Sequence, residues 1–218
     1  MMTANSDTLP RITLHEHDLD GAPLDLPDSA YRFAYVETGL LTVEDTSGER
    51  TCAADDGLFL DGQARLRGDG RIWIYEVDPT GNAFRWDKSI ILSHPLAVAF
   101  DGPWLMRADR IESPPGAATP RHGHRGPGIR RLVYGRLLAE VGDHIERIAA
   151  GQAWFETGTD PVIGTNINDG NNAFVRVMVL PAELEGGKSS FMPTTPDDAL
   201  KPRAVTSRLF GERLIPEP

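Results

Sequence analysis

Residues 119–135, TPRHGHRGPGIRRLVYG, set His122 and His124 one residue apart among prolines and glycines, just ahead of an apolar run. On extended chain, side chains at i and i+2 point the same way, so both imidazoles would aim at one spot. Imidazole suits zinc, iron, nickel and copper, and carboxylate ligands extend the choice to manganese. The alternative is a solvated loop whose histidines bond turn carbonyls. A metal would need a third donor, and Glu156, closing the run AWFE (153–156), is the best-placed carboxylate. Two histidines and one carboxylate leave coordination positions open for water, substrate or dioxygen. His144, after the turn-like VGD, and Asn166 are weaker candidates. The same HxH spacing recurs at His15 and His17, in an acidic N-terminal segment without flanking glycines. That pair reads as surface, or as part of a strand exchanged with a partner.

Other side chains bear on a pocket. In AFVRVMVLP (173–181), Arg176 shares one face with Phe174, Met178 and Leu180. A buried guanidinium needs a partner, which would be Glu156, another acid, or a substrate carboxylate held by a bidentate pair. Arg130 can take a similar role. Tyr134 and Trp154 are core aromatics or, in a second reading, pocket walls. Glu156 and Arg176 are the residues expected to carry chemistry.

These side chains need a frame. Short runs rich in Val, Ile, Leu and aromatics, such as YRFAYVETGLLTVE (31–44) and RIWIYEV (71–77), alternate with Gly and Pro about every ten residues. That pattern indicates an all-β sandwich or barrel. A weak internal repeat lines TGLLTVE (38–44) up with YGRLLAEV (134–141), Gly39 on Gly135, and AADDGLFL (53–60) with AAGQAWFE (149–156), Phe59 on Phe155. IWIYEVDP (72–79) then resembles VRVMVLP (175–181) at a slightly longer offset. Two β units of about 90 residues fit the 218-residue length, joined by a linker over 78–95. The division expected is 1–90, an N-terminal arm and first barrel, and 91–218, a second barrel with the candidate site and a C-terminal tail.

Composition narrows the function classes. Lys and Arg number 22 against 32 Asp and Glu, a net charge of −10, which disfavours nucleic-acid binding. No apolar stretch approaches a membrane span. The single cysteine, Cys52, excludes an internal disulfide and reads as a small buried hydrophobe. MMTANSDTLP has neither the basic start nor the apolar core of a secretory signal, so a cytoplasmic protein is expected.

Gly116, His122, His124 and Gly135 reproduce most of the first motif of the cupin superfamily, Gly-x5-His-x-His-x3/4-Glu-x6-Gly, and Gly151 opens a degenerate second motif. The chain resembles a two-domain cupin over about residues 30–80 and 105–181. The resemblance implies two tandem jelly-roll barrels with the pocket in the barrel mouth, and a homodimer paired through edge strands. It also places Gly128 where the family carries its metal-binding glutamate and Val162 where it carries its third histidine, so only His122 and His124 carry over. The expected function is a metal-dependent enzyme (iron, manganese, nickel or zinc) acting on a small organic molecule, with dioxygenase chemistry ahead of isomerase or lyase chemistry. The alternative is a barrel that binds or senses a small ligand without a functional metal.

Overall fold

In the computed structural model, residues 9–28, 30–81, 88–98 and 100–216 are described. They form two compact units, one ending at Leu96 and the other beginning at Ala97. Both are built almost wholly from antiparallel strands, and no described helix is long and apolar enough to cross a membrane.

The first unit holds β1 (Arg11–Asp20), β2 (Leu24–Leu26), β3 (Tyr31–Val36), β4 (Leu40–Asp45), β5 (Gly48–Ala53), β6 (Asp56–Leu60), β7 (Ala64–Asp78) and β8 (Ile90–Pro95). Strand order is β5-β4-β7-β1-β8, with β3 on β6 and β7 and β2 on β7. β4 shows the sequence logic: Leu41 and Val43 are buried while Leu40 and Glu44 are exposed, the period-two pattern of a half-buried strand. Its inward residues join Leu26, Ala34, Leu66 and Ile74 in one apolar cluster, to which Cys52 also belongs.

Three expectations change here. Arg11–Asp20 is not an arm: β1 is an interior strand bonded to β7 along its whole length. The 78–95 segment is not wholly a linker, because Ile90–Pro95 pairs with β1 and extends the first unit past residue 90. Residues 82–87 of that segment lie outside the described residues. The His15/His17 pair is not surface. His15 stands opposite Ile74, which stands opposite Ala34, so its ring lies on the inner face with the core, 3% exposed. On the same face Arg32 and Glu76 form a buried ion pair at 2.7 Å. His15 Nδ1 lies 3.0 Å from Ser89 Oγ, and its Nε2 is buried without a hydrogen-bond partner.

The second unit has β9 (Trp104–Ser113), β10 (His122–His124), β11 (Gly128–Tyr134), β12 (Arg136–Val141), β13 (His144–Ala149), β14 (Ala153–Glu156), β15 (Val162–Asn166), β16 (Asn172–Pro181), β17 (Phe191–Pro193), the short helix α1 (Pro196–Leu200) and β18 (Thr206–Ile215). Two five-stranded sheets result, β13-β12-β15-β10-β17 and β14-β11-β16-β9-β18. Helix α1 begins at Thr195, whose hydroxyl accepts from Asp198 N at 3.1 Å, with Pro196 at its first position. The C-terminal tail packs on the barrel, since β18 runs nine paired positions along β9.

The internal repeat is a repeat of architecture. β4 and β12 begin and end 96 residues apart, as do β5 and β13. β3 bonds β6 and β7 as β11 bonds β14 and β16. The aligned glycines do the same job. Gly39 (φ 82°), between β3 and β4, and Gly135 (φ 85°), between β11 and β12, both adopt left-handed backbone. A Cβ would lie 1.9 Å from Asp69 O at Gly39 and 2.6 Å from Asn172 Cβ at Gly135. Gly116 has a similar φ of 70° but open space around it.

Gly39→Ala and Gly135→Ala should each cost on the order of 3 kcal/mol or more, because a left-handed alanine is strained and its methyl meets packed atoms. Gly116→Ala should cost about 1–2 kcal/mol from conformation alone. At roughly 2–4 °C per kcal/mol for a chain of this size, thermal melts separate the two classes; equal shifts for all three would refute the packing argument.

Burial, then the charges of His17 and Arg32, lowers the His15 pKa from 6.5 to about 4. The unfolded chain therefore binds the extra proton between those values. This stabilisation is complete above pH 6.5 and drains away as pH falls towards about 4. From pH 7 to 4.5 the group should remove about 2 kcal/mol. Denaturant unfolding of wild type and His15→Gln at the two pH values checks this in the transition that Gly39→Ala shifts. An undiminished acid sensitivity in the variant would dismiss His15 as its source.

Candidate functional site

The second unit's cavity is framed by strand register. Arg130 on β11 faces Arg176 on β16 and Trp154 on β14; Arg176 faces Asp109 on β9; Gly128 faces Glu156. Directly opposed residues share a face, so these side chains crowd the inner side of one sheet. From the other sheet come His122 and His124. β10 is short but pinned: His124 N donates to Gly158 O at 2.7 Å, and Arg125 N to Ser190 O at 2.9 Å. The two rings are 6% and 5% exposed, with a half-buried glycine between them. The solvated-loop alternative is ruled out.

Each ring is oriented from behind. His122 Nδ1 lies 2.8 Å from Pro120 O. A carbonyl only accepts, so Nδ1 carries the proton and Nε2 presents a lone pair. The ring stacks on Phe191 (centroids 4.4 Å, 18°) and meets His124 edge-on (4.9 Å, 90°). His124 Nδ1 is 3.3 Å from Ser190 Oγ, and its Nε2 lies 3.5 Å from Arg176 Nη1 and 3.8 Å from Glu156 Oε2. Burial is the main cause holding the His122 pKa below the ordinary value; the Pro120 carbonyl and Glu156 oppose it. For His124, burial followed by the charges of Arg176 and Arg130 pushes it well below. Both rings are neutral near pH 7.

The acids are already engaged. Glu156 Oε1 accepts from Trp154 Nε1 at 2.9 Å, and Oε2 lies 2.6 Å from Arg130 Nη2, an ion pair without a well-aligned hydrogen bond. Arg130 Nη1 donates back to Gly128 O at 2.6 Å. Arg176 grips Asp109 with two bonds, Nε to Oδ1 at 2.9 Å and Nη2 to Oδ2 at 2.6 Å. Burial works against the Arg176 charge, and Asp109 more than offsets it, so its pKa is raised. Arg107 pairs with Glu212 at 2.6 Å. The enclosed space is about 270 Å³, completed by apolar walls that include Leu137, Val162 and Phe174.

Of the residues expected at a site, His122, His124, Arg130, Trp154, Glu156 and Arg176 all line this one cavity, and Tyr134 does not. Tyr134 is 38% exposed and its hydroxyl bonds Glu112 Oε2 at 3.0 Å. A register shift between Leu132 and Tyr134 breaks the alternation that turns Arg130 and Leu132 inward. His144 is exposed at the start of β13. Asn166 is buried, its amide spent on Ser113 O and Gly170 O. Asp109, Ser190, Phe191 and Arg203 were missed. The one sequence signal for Asp109 is its place between Arg107 and Ile111 on alternate positions of a strand.

The metal expectation can be tested against this donor set. Histidines oriented through Nδ1 with Nε2 turned to the cavity are what metal sites present, although His124 Nε2 already meets Arg176 Nη1 at 3.5 Å. The rest does not fit. A side chain at residue 128 is excluded, because its Cβ would lie 2.3 Å from Val177 O. Val162 faces His122 where a third histidine would stand. Glu156 is turned to Arg130 and Trp154, and no three His, Cys, Asp or Glu side chains converge on a point among the described residues. Glu156 and Asp109 are each matched by a guanidinium, so a buried dication would find no uncompensated negative charge.

The chain matches no protein-family model and no curated protein. Solved structures do resemble it. The oxalate decarboxylase of Bacillus subtilis, described with Mn(II) centres, is 10% identical over 92% of this chain and 81% of its own, with a TM-score of 0.60. AerE from Microcystis aeruginosa is 13% identical, covering 80% of this chain and 100% of its own, at 0.57. A cupin 2 conserved barrel domain protein from Leptotrichia buccalis is 12% identical over 82% and 92%, at 0.51. Together with the two matching strand orders, these likenesses give the chain the jelly-roll fold of cupin-type barrels.

Proposed function

We propose that the second barrel binds a small organic anion, a monocarboxylate of roughly ten non-hydrogen atoms, in the cavity around His122, His124 and Arg176. The observation that carries this reading is a charge balance. Four guanidiniums line the cavity, and three have acidic partners: Arg107 with Glu212, Arg130 with Glu156, Arg176 with Asp109. The fourth, Arg203, is an exposed residue that reaches the cavity; it lies over the Phe191 ring at 4.2 Å and donates to Ser189 Oγ at 3.2 Å, with no acidic partner among the described residues. With both histidines neutral, the wall carries one positive charge in excess. A carboxylate between Arg203 and the inward Nη1 of Arg176 would neutralise it, while Phe174, Leu137 and Val162 take up an apolar body. Glu156 and His124, 3.8 Å apart, are the pair that would exchange a proton with a ligand hydroxyl.

A second reading, metal-dependent chemistry of the dioxygenase type, is favoured by the two Nε2 atoms turned to the cavity, and requires Glu156 to leave Arg130 and His124 to leave Arg176. The protein is proposed to act as a homodimer in the cytoplasm; exposed Leu209 and Leu214 on the edge strand β18 support edge pairing.

Calorimetric titration near pH 7 with a panel of small monocarboxylates is expected to show saturable binding that Arg203→Gln weakens by about tenfold, the loss of one charge-assisted contact. A neutral amide analogue should bind far more weakly. No saturable binding, or binding indifferent to Arg203, defeats the anion reading. Near-stoichiometric metal in protein purified without chelator, lost in His122→Ala and His124→Ala, would instead establish the metal reading.

A further inference from the structure

The histidine half of a metal site is intact, and the carboxylate that would complete it is present but occupied. Glu156 Oε2 lies 2.6 Å from Arg130 Nη2 and 3.8 Å from His124 Nε2. A metal ion bound to both would sit about 2.0–2.2 Å from each donor, and the guanidinium already holds that oxygen. Arg130 reaches it because it stands two residues beyond Gly128 on β11 and faces the same cavity. It is 1% exposed and bonded back to Gly128 O, so it has no solvent into which to swing.

We infer that Arg130 is a built-in cation that occupies the Glu156 oxygen a divalent metal would need, and that its guanidinium keeps the site closed to metal. Removing that one group would release the carboxylate beside the two imidazoles, with only the long 3.5 Å contact of Arg176 Nη1 on His124 Nε2 left to displace, and so offer the two-histidine, one-carboxylate set of open metal sites. Arg176 is held by its two bonds to Asp109, with Nη1 turned to His124 Nε2 and no ion pair to Glu156 among the described residues. This inference concerns which cation Glu156 binds, and stands whether or not the cavity takes an organic anion.

The test is a Co²⁺ titration of the full chain, followed by the ligand-field absorption of the bound ion. Wild type should show no saturable band that depends on His124. Arg130→Gln should acquire one, with Co²⁺ affinity at least about tenfold above wild type, and adding Glu156→Gln or His124→Ala should abolish it. Arg130→Met serves as a second variant without hydrogen-bonding capacity, and circular dichroism establishes that each is folded. A saturable, His124-dependent band in wild type overturns the inference, as does a folded Arg130 variant with no gain. Should neither variant fold, the wild-type titration with His124→Ala as control still decides.

Discussion

The ion pair between Arg130 and Glu156 governs the character of the second barrel's interior. A buried carboxylate opposite two histidines is expensive to leave unmatched, and the structure matches it from the adjacent strand with a guanidinium that is itself 1% exposed. Trp154 fixes the other carboxylate oxygen, Gly128 O takes a second guanidinium proton, and the Asp109–Arg176 pair repeats the device one strand over. Each acid has its base before any guest arrives. What a guest would meet is the exposed guanidinium of Arg203 and the Nε2 atoms of the two imidazoles.

The two barrels put different fillings into one frame. Register equates Ala34 with Arg130, Ile74 with Arg176 and His15 with Asp109, because each set faces its partners in the same way. β2, which pairs with β7 as β10 pairs with β15, carries Leu24 and Leu26, and sets Leu26 opposite Ala64 where β10 sets His122 opposite Val162. In the first barrel those leucines join the apolar cluster, and the polar groups retreat to His15, Arg32 and Glu76. A hydrophobic plug and a charged cavity are thus alternative ways of filling the same strand skeleton.

Much of this was legible in the sequence, for physical reasons. Period-two alternation and left-handed glycines are local signals, so the all-β class, the repeat and the inward aim of His122 and His124 could be read directly. What was missed is nonlocal. β1 looks acidic and Pro-flanked, and only its pairing along β7 reveals that Thr13, His15 and His17 share an inner face. β18 carries Gly and charges and is made a strand by β9. Tyr134 obeys alternation in sequence and violates it in space because of a bulge. The partners of Arg176 and Glu156 sit 67 and 26 residues away, on strands whose register no local pattern encodes.

The segment after β16 has a consequence for how the molecule comes into being. Phe191 stacks on His122, Ser190 backs His124, Arg203 sits over Phe191, and Glu212 reaches across 105 residues to Arg107. On a ribosome these groups emerge well after the histidines they orient. Until they arrive, Arg107 lacks Glu212, His124 lacks the backing of Ser190, and His122 has Pro120 O behind it but no ring to stack on. Nascent chains halted before β17 would lack the last strand of each sheet in the second unit, and the polar chamber would acquire its final lining only in the last moments of synthesis.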